Sequence, residues 1–125
     1  MYGVTITELI TKMKMKNVLP EIDADKVVLS HPDVNRPALQ LTGFFDHFDR
    51  ERVQIIGYVE QAYLNTLTLD RRRYIYDKLI SSKIPCLLYS RGLEPDECVL
   101  ELCNYYGVPC MISKKTTSDL MAEVI

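Results

Sequence analysis

Apolar residues recur along this chain in two alternating rhythms. Short runs, Val27-Val28-Leu29, Val53-Gln54-Ile55-Ile56, Pro85-Cys86-Leu87-Leu88-Tyr89 and residues 108–112, are bounded by turn formers and predict strands. Between them lie stretches with apolar positions three and four apart, as on the buried face of an amphipathic helix. Thr5-Ile6-Thr7-Glu8 reads as a capping box opening a helix with Leu9, Ile10 and Met13 on one face, running to about Asn17, with a short strand around Val4 before it. Pro37 opens another helix, and Phe44, Phe45 and Phe48 continue its spacing beyond Gly43. A helix over residues 60–67 follows, then one capped by Asp70 that carries Tyr74, Ile75, Leu79 and Ile80 toward Ser82. The clearest unit is the strand at residues 85–89, the turn Ser90-Arg91-Gly92-Leu93 and a helix begun by Pro95. Cys98, Val99, Leu102, Cys103 and Tyr106 form that helix's face, and Gly107 stops it. Thr116 and Asp119 make a last capping box ahead of Leu120, Met121 and Val124.

Short apolar strands alternating with amphipathic helices predict βα units and a mostly parallel sheet covered on both faces, a three-layer α/β/α fold. Without repeats, low-complexity tracts or a linker, residues 1–125 read as a single domain. The last helical pattern runs to Ile125 without a glycine stop or a polar exit, so the expectation is a chain cut from something longer.

With 47% hydrophobic and 26% charged residues, the chain has the composition of an ordinary globular domain rather than a disordered one. Fifteen Lys and Arg against 17 Asp and Glu give a net charge of −2, which argues against non-specific nucleic-acid binding. The apolar runs fall far short of the ~20 residues of a membrane span, and the first residues lack a signal peptide's basic and small-residue segments. A cytoplasmic location is expected. Cys86, Cys98, Cys103 and Cys110 are spaced 12, 5 and 7 apart, without the C-x-x-C pair of zinc or redox sites, and read as reduced thiols in apolar surroundings.

None of the five glycines precedes a lysine and no two are close together, so the phosphate-cradling G-x-x-x-x-G-K-[ST] loop and the G-x-G-x-x-G fingerprint are both absent. His31 and His47 lie in different segments with no nucleophile beside them. No catalytic residue, metal site or cofactor site of this chain is expected. Ligands of open parallel sheets bind outside the carboxyl ends of the strands. Loops there carry Arg36, Arg91, Lys114 and Lys115, the last two just ahead of a helix starting at Thr116, whose free N–H groups suit an anion. Were the strands neighbours, these residues would form an anion site for a phosphorylated ligand. The plainer alternative leaves each cation solvated or paired with a carboxylate such as Asp33 or Glu94. Arg71-Arg72-Arg73 point in different directions on a helix and make no patch, and Phe44, Phe45 and Phe48 read as core.

The stretch Asn35-Arg36-Pro37-Ala38-Leu39-Gln40-Leu41-Thr42-Gly43-Phe44-Phe45-Asp46, the run Arg52-Val53-Gln54-Ile55-Ile56-Gly57, the turn Ser90-Arg91-Gly92-Leu93-Glu94-Pro95 and Lys114-Lys115-Thr116-Thr117-Ser118 together resemble the N-terminal domain of bacterial HPr kinase/phosphorylase. The resemblance covers nearly the whole chain. It implies a fold similar to the N-terminal domain of the Mur ligases. It also implies a cytoplasmic enzyme that uses ATP or pyrophosphate and Mg²⁺ to phosphorylate a serine of HPr, and that removes the phosphate again by phosphorolysis in the control of carbon metabolism. In that family the P-loop lies in a separate C-terminal kinase domain and the protein is a hexamer, so this chain would be a non-catalytic accessory or regulatory domain. By analogy alone, the cationic edge would hold a phosphorylated metabolite or nucleotide. A further alternative is an interaction domain that supports the oligomer.

Overall fold

The computed structural model of this chain describes residues 3–30, 34–46 and 48–124, with backbone alone for residues 121–124. In chain order the elements are β1 (Val4–Thr5), α1 (Ile6–Met13), β2 (Lys16–Asn17), a 3₁₀ turn (Ala24–Lys26), β3 (Val28–Leu29), β4 (Val34–Asn35), α2 (Ala38–Leu41), β5 (Val53–Ile56), α3 (Tyr58–Leu64), α4 (Leu69–Ile80), β6 (Leu87–Tyr89), α5 (Glu97–Tyr106), β7 (Cys110–Ile112) and α6 (Thr117–Val124). Strands β4, β5, β6 and β7 run parallel and side by side in sequence order, and β2 pairs antiparallel with the outer side of β7. β1 and β3 form a separate antiparallel ribbon.

Side chains alternate across the sheet with the period of two that a pleated strand imposes. Val53, Ile55, Cys86, Leu88 and Met111 face one layer, where they pack with Ile6, Leu9 and Met13 of α1 and Leu120 of α6. Ile56, Leu87, Tyr89, Cys110 and Ile112 face the other, beneath Leu41 of α2, Leu64 of α3, Ile75, Leu79 and Ile80 of α4, and Val99 and Leu102 of α5. Helices on both faces of a mostly parallel sheet are the three-layer α/β/α architecture the sequence predicts. The one polar side chain turned inward from β5, Gln54, is fully satisfied: it accepts from Asn35 Nδ2 at 2.7 Å and donates to the carbonyls of Asp49 and Arg52.

Several local expectations change. Helix α1 does not run to Asn17 but stops at Met13, where Lys14 turns left-handed (φ 53°). The N–H groups of Lys14 and Met15 then donate to the carbonyls of Thr11 and Ile10, a Schellman closure with lysine where glycine usually stands. Reversal at this point frees Lys16 and Asn17 to become the edge strand β2. The predicted continuation through Phe48 does not form, because Gly43 adopts φ 102° and ends α2. Phe45 and Phe48 instead meet edge to face at 5.6 Å against the core, while Phe44 is exposed. Helix α3 begins earlier than expected, at Tyr58, α4 is capped by Thr68 rather than Asp70, and α5 starts after Asp96 rather than at Pro95. The segment read as a loop around Asn35 holds strand β4, and the strand read before it, β3, belongs to the ribbon and not to the sheet. His31, Asp33 and His47 lie outside the described residues.

Candidate functional site

All four parallel strands end at one edge of the sheet. Arg36 follows β4, Gly57 follows β5, Ser90 and Arg91 follow β6, and Ser113, Lys114, Lys115 and Thr116 follow β7. Because β2 runs the other way, with Lys16 opposite Ile112, its start lies at this edge too and brings Lys14 and Lys16 there.

At the β4–β5 end the edge is closed by the protein's own groups. Glu60, buried, accepts a 2.7 Å hydrogen bond from the Gly57 N–H and is held by Arg36 Nη2 at 3.0 Å. A carboxylate at the start of α3 thus sits where the helix would otherwise favour an external anion, and the half-exposed guanidinium neutralises it. Beside this pair the hydroxyls of Ser90 and Thr117 share a buried 2.7 Å hydrogen bond, which ties the first turn of α6 to the end of β6. A Cβ on Gly57 would stand 2.5 Å from Thr117 Oγ1, so only glycine allows α6 to close onto this corner.

The β6–β7 end is laced by backbone. Arg91 N–H donates to Lys115 O at 2.8 Å, Gly92 N–H to Ser113 O at 2.7 Å, and Lys115 N–H to Ser113 Oγ at 3.2 Å. Thr116 Oγ1 accepts from Asp119 N–H at 3.2 Å, capping α6. These four N–H donors are committed, and positive side chains stand beside them. Arg91 lies over the Tyr58 ring, 4.7 Å from its centroid. Lys114 and Lys115 instead border an open cleft of about 690 Å³, which Lys12, Lys14 and Lys16 of the adjoining segment, Gly92 and Glu94, and Met13, Ile112 and Ser113 also line.

Of the residues that the sequence marks for an anion site, Lys114, Lys115 and Thr116 therefore share one loop, and Arg91 meets that loop through its backbone. Arg36 stands apart, because β5 and β6 separate its strand from β7, about 14 Å at ordinary interstrand spacing. Lys12, Lys14 and Lys16 escape sequence reasoning that runs the helix opened by Thr5 and Glu8 on to about Asn17. Their signal is the alternation Lys12-Met13-Lys14-Met15-Lys16, in which both methionines are buried and all three lysines exposed.

Elsewhere the chemistry is quiet. Arg71, Arg72 and Arg73 do point apart, toward Tyr74, toward Asp96 with the Leu64 and Leu67 carbonyls, and toward Glu101. The four cysteines are free thiols. Burial pushes the Cys86 thiol well above its ordinary range; Cys110 is raised by its hydrogen bond with Cys103 and then by burial. The Tyr76 and Tyr89 phenols, 3.3 Å apart in the core, are likewise raised by burial. None is an activated nucleophile. Among the described residues no group of three or more His, Cys, Asp or Glu could hold a metal ion, and no helix is long and apolar enough to cross a membrane.

A family profile described as "HPr Serine kinase N terminus" matches residues 4–125. HPr kinase/phosphorylase of Lachnoclostridium phytofermentans is 50% identical over the whole chain, and that of Alkaliphilus metalliredigens 42%; in each case the chain spans 40% of the relative's length. Among solved structures, the CBS and DRTGG domains of the regulatory region of Clostridium perfringens pyrophosphatase, complexed with the activator diadenosine tetraphosphate, match 97% of this chain and 47% of theirs. The TM-score is 0.62 at 14% identity, a likeness of fold.

Proposed function

The chain belongs to the HPr kinase N-terminal family, and from that premise we propose that it is the non-catalytic, regulatory part of an HPr kinase/phosphorylase. The observation that carries this reading is the state of the sheet's carboxyl edge. The corner where a nucleotide-binding α/β domain would present a glycine loop and a lysine to phosphate is filled here by Glu60, bonded to Gly57 N–H and Arg36. Transfer of a phosphoryl group from ATP or pyrophosphate with Mg²⁺ to a serine of HPr, and its removal, then belongs to a kinase domain of the same protein. That domain is this chain's first partner, HPr is reached through it, and assembly into a homo-oligomer and a cytoplasmic location go with the same reading. The purified 125-residue chain is expected to transfer no phosphate from ATP to HPr; serine phosphorylation of HPr detected by mass spectrometry would overturn the reading.

A second reading concerns what is regulated. Lys114, Lys115 and Thr116, with Arg91 alongside, are read as an anion site for a phosphorylated metabolite or nucleotide, favoured by the open lysine-bordered cleft at this edge. Fold analogy with a regulatory region that carries diadenosine tetraphosphate supports it. Arg36, committed to Glu60, has no part in it. Calorimetric titration of fructose 1,6-bisphosphate and UDP-sugars should give heat and raise the melting temperature; no heat and an unchanged melting temperature for all of them would count against it.

A further inference from the structure

The lysine cleft has a second segment in its lining, residues 12–16, and we propose that Lys12, Lys14 and Lys16, together with Lys114 and Lys115, make it a site for a small metabolite bearing two or more phosphates. This rests on the second reading of the edge as anion-binding and adds the residues and the charge class.

Three observations converge. First, charge is concentrated where the molecule as a whole has none to spare: in a chain of net charge −2, the described residues lining one cleft include Lys12, Lys14, Lys16 and Lys114, with Lys115 beside them, and one carboxylate, that of Glu94. Among the described residues, Lys12, Lys14, Lys16 and Lys114 have no carboxylate within ion-pair distance, whereas Arg36, Arg72 and Arg73 each have one. Second, the cleft of about 690 Å³ lies within the range of small-molecule sites, and its floor includes Met13 and Ile112, an apolar surface for the organic part of a ligand. Third, the lining is built at the expense of backbone comfort. Lys14 holds the left-handed position of the Schellman closure, at φ 53°, where glycine would be relaxed; Arg91, at φ 55°, makes the turn into Gly92, which also lines the cleft.

The number of phosphates follows from the donors available. Backbone N–H groups of Arg91, Gly92 and Lys115 are already bonded, so the turn between β6 and α5 and the start of the β7 loop do not wrap a single phosphate with these donors. What the cleft offers besides are the lysine side chains of two chain segments, residues 12–16 and 114, each exposed ammonium a point charge that binds one phosphate oxygen weakly. Affinity then depends on engaging several of these separate charges at once, which selects a ligand with at least two separated anionic groups over inorganic phosphate.

The test is calorimetry of inorganic tripolyphosphate, ATP and inorganic phosphate with the 125-residue chain at fixed ionic strength. Tripolyphosphate and ATP should bind at least ~10-fold more tightly than phosphate. Lys14→Gly and Lys16→Gln should each weaken tripolyphosphate ~3- to 10-fold, as should Lys114→Gln after β7, at about one weak ionic contact apiece. Lys26→Gln, which removes an exposed lysine outside the cleft, should leave binding within ~2-fold. Lys14→Gly also relieves the left-handed backbone, so its melting temperature should not fall, which separates loss of binding from loss of fold. If no probe binds, both this inference and the reading of the edge fall together. If Lys114→Gln and Lys115→Gln weaken binding while Lys14→Gly and Lys16→Gln do not, residues 12–16 are not part of the site and this inference alone falls. Equal weakening by Lys26→Gln would show general attraction to a charged surface and overturn the site as well.

Discussion

Gly57→Ala adds one methyl group at the corner where β5 hands over to α3, and the surroundings say what that costs. Gly57 has φ −112°, which any residue adopts, so no backbone strain enters. Restricting the unfolded chain with alanine gains ~0.4–1 kcal/mol, and losing glycine at a helix N-cap costs about the same, so these two effects cancel. What remains is the contact of the new Cβ with Thr117 Oγ1 at 2.5 Å and Glu60 Oε1 at 3.1 Å. Thr117 is buried, short and branched at Cβ, and turning it aside breaks its 2.7 Å bond to the fully buried Ser90 hydroxyl. Overpacking at ~1–3 kcal/mol and a lost buried hydrogen bond at ~1 kcal/mol give a net destabilisation of about 2–4 kcal/mol. In a urea titration with a slope near ~2 kcal/mol/M, that is a midpoint lower by about 1–2 M. Thr117→Ala makes room for the methyl group, so the double variant should be at least ~1 kcal/mol more stable than the sum of the single effects. Gly57→Ala within ~0.5 kcal/mol of the parent, or strict additivity with Thr117→Ala, would refute the close approach of α6 to this corner.

Other outcomes test the remaining physics. Arg36→Met keeps the aliphatic stem but leaves the buried Glu60 carboxylate without its cation; a loss of ~2–4 kcal/mol is expected, below the full cost of breaking a buried pair because the guanidinium is partly exposed and the Gly57 N–H stays bonded. Adding Glu60→Gln should recover part of it, and a urea midpoint unmoved by Arg36→Met would contradict the pairing. Folding raises the pKa of Cys86, Cys110, Tyr76 and Tyr89 above ordinary values of 9.0 for the thiols and 10.0 for the phenols, so the folded state favours their neutral forms. Their contribution is complete below about pH 9 and is lost as pH rises beyond it, because the unfolded chain releases those protons first. Urea midpoints should therefore decline from about pH 9 upward, and a flat profile to pH 11 would show these groups to be solvated.

How much of this was legible beforehand differs from element to element. The β6–α5–β7 unit was readable because its apolar runs are short, its helix face recurs at three and four, and Gly107 closes it at φ 72°. The family resemblance was readable from the stretches around Arg36, Gly57, Arg91 and Lys115. Residues 14–17 were not: Lys14 carries no propensity for a left-handed turn, and a two-residue edge strand is too short for its period to outweigh the helix before it. The same holds for β4, whose Val34 and Asn35 become a strand only because β5 is there to pair with them. Local pattern thus determined the class of fold, the two apolar faces of the sheet and the absence of a phosphate loop, all of which follow from periodicity and residue type within a few neighbours. Strand order and the pairing of Arg36 with Glu60 were decided by tertiary structure, as was the meeting of Lys12, Lys14 and Lys16 with Lys114 and Lys115. These join residues 19 to about 100 positions apart, through hydrogen-bond registers that no local window contains.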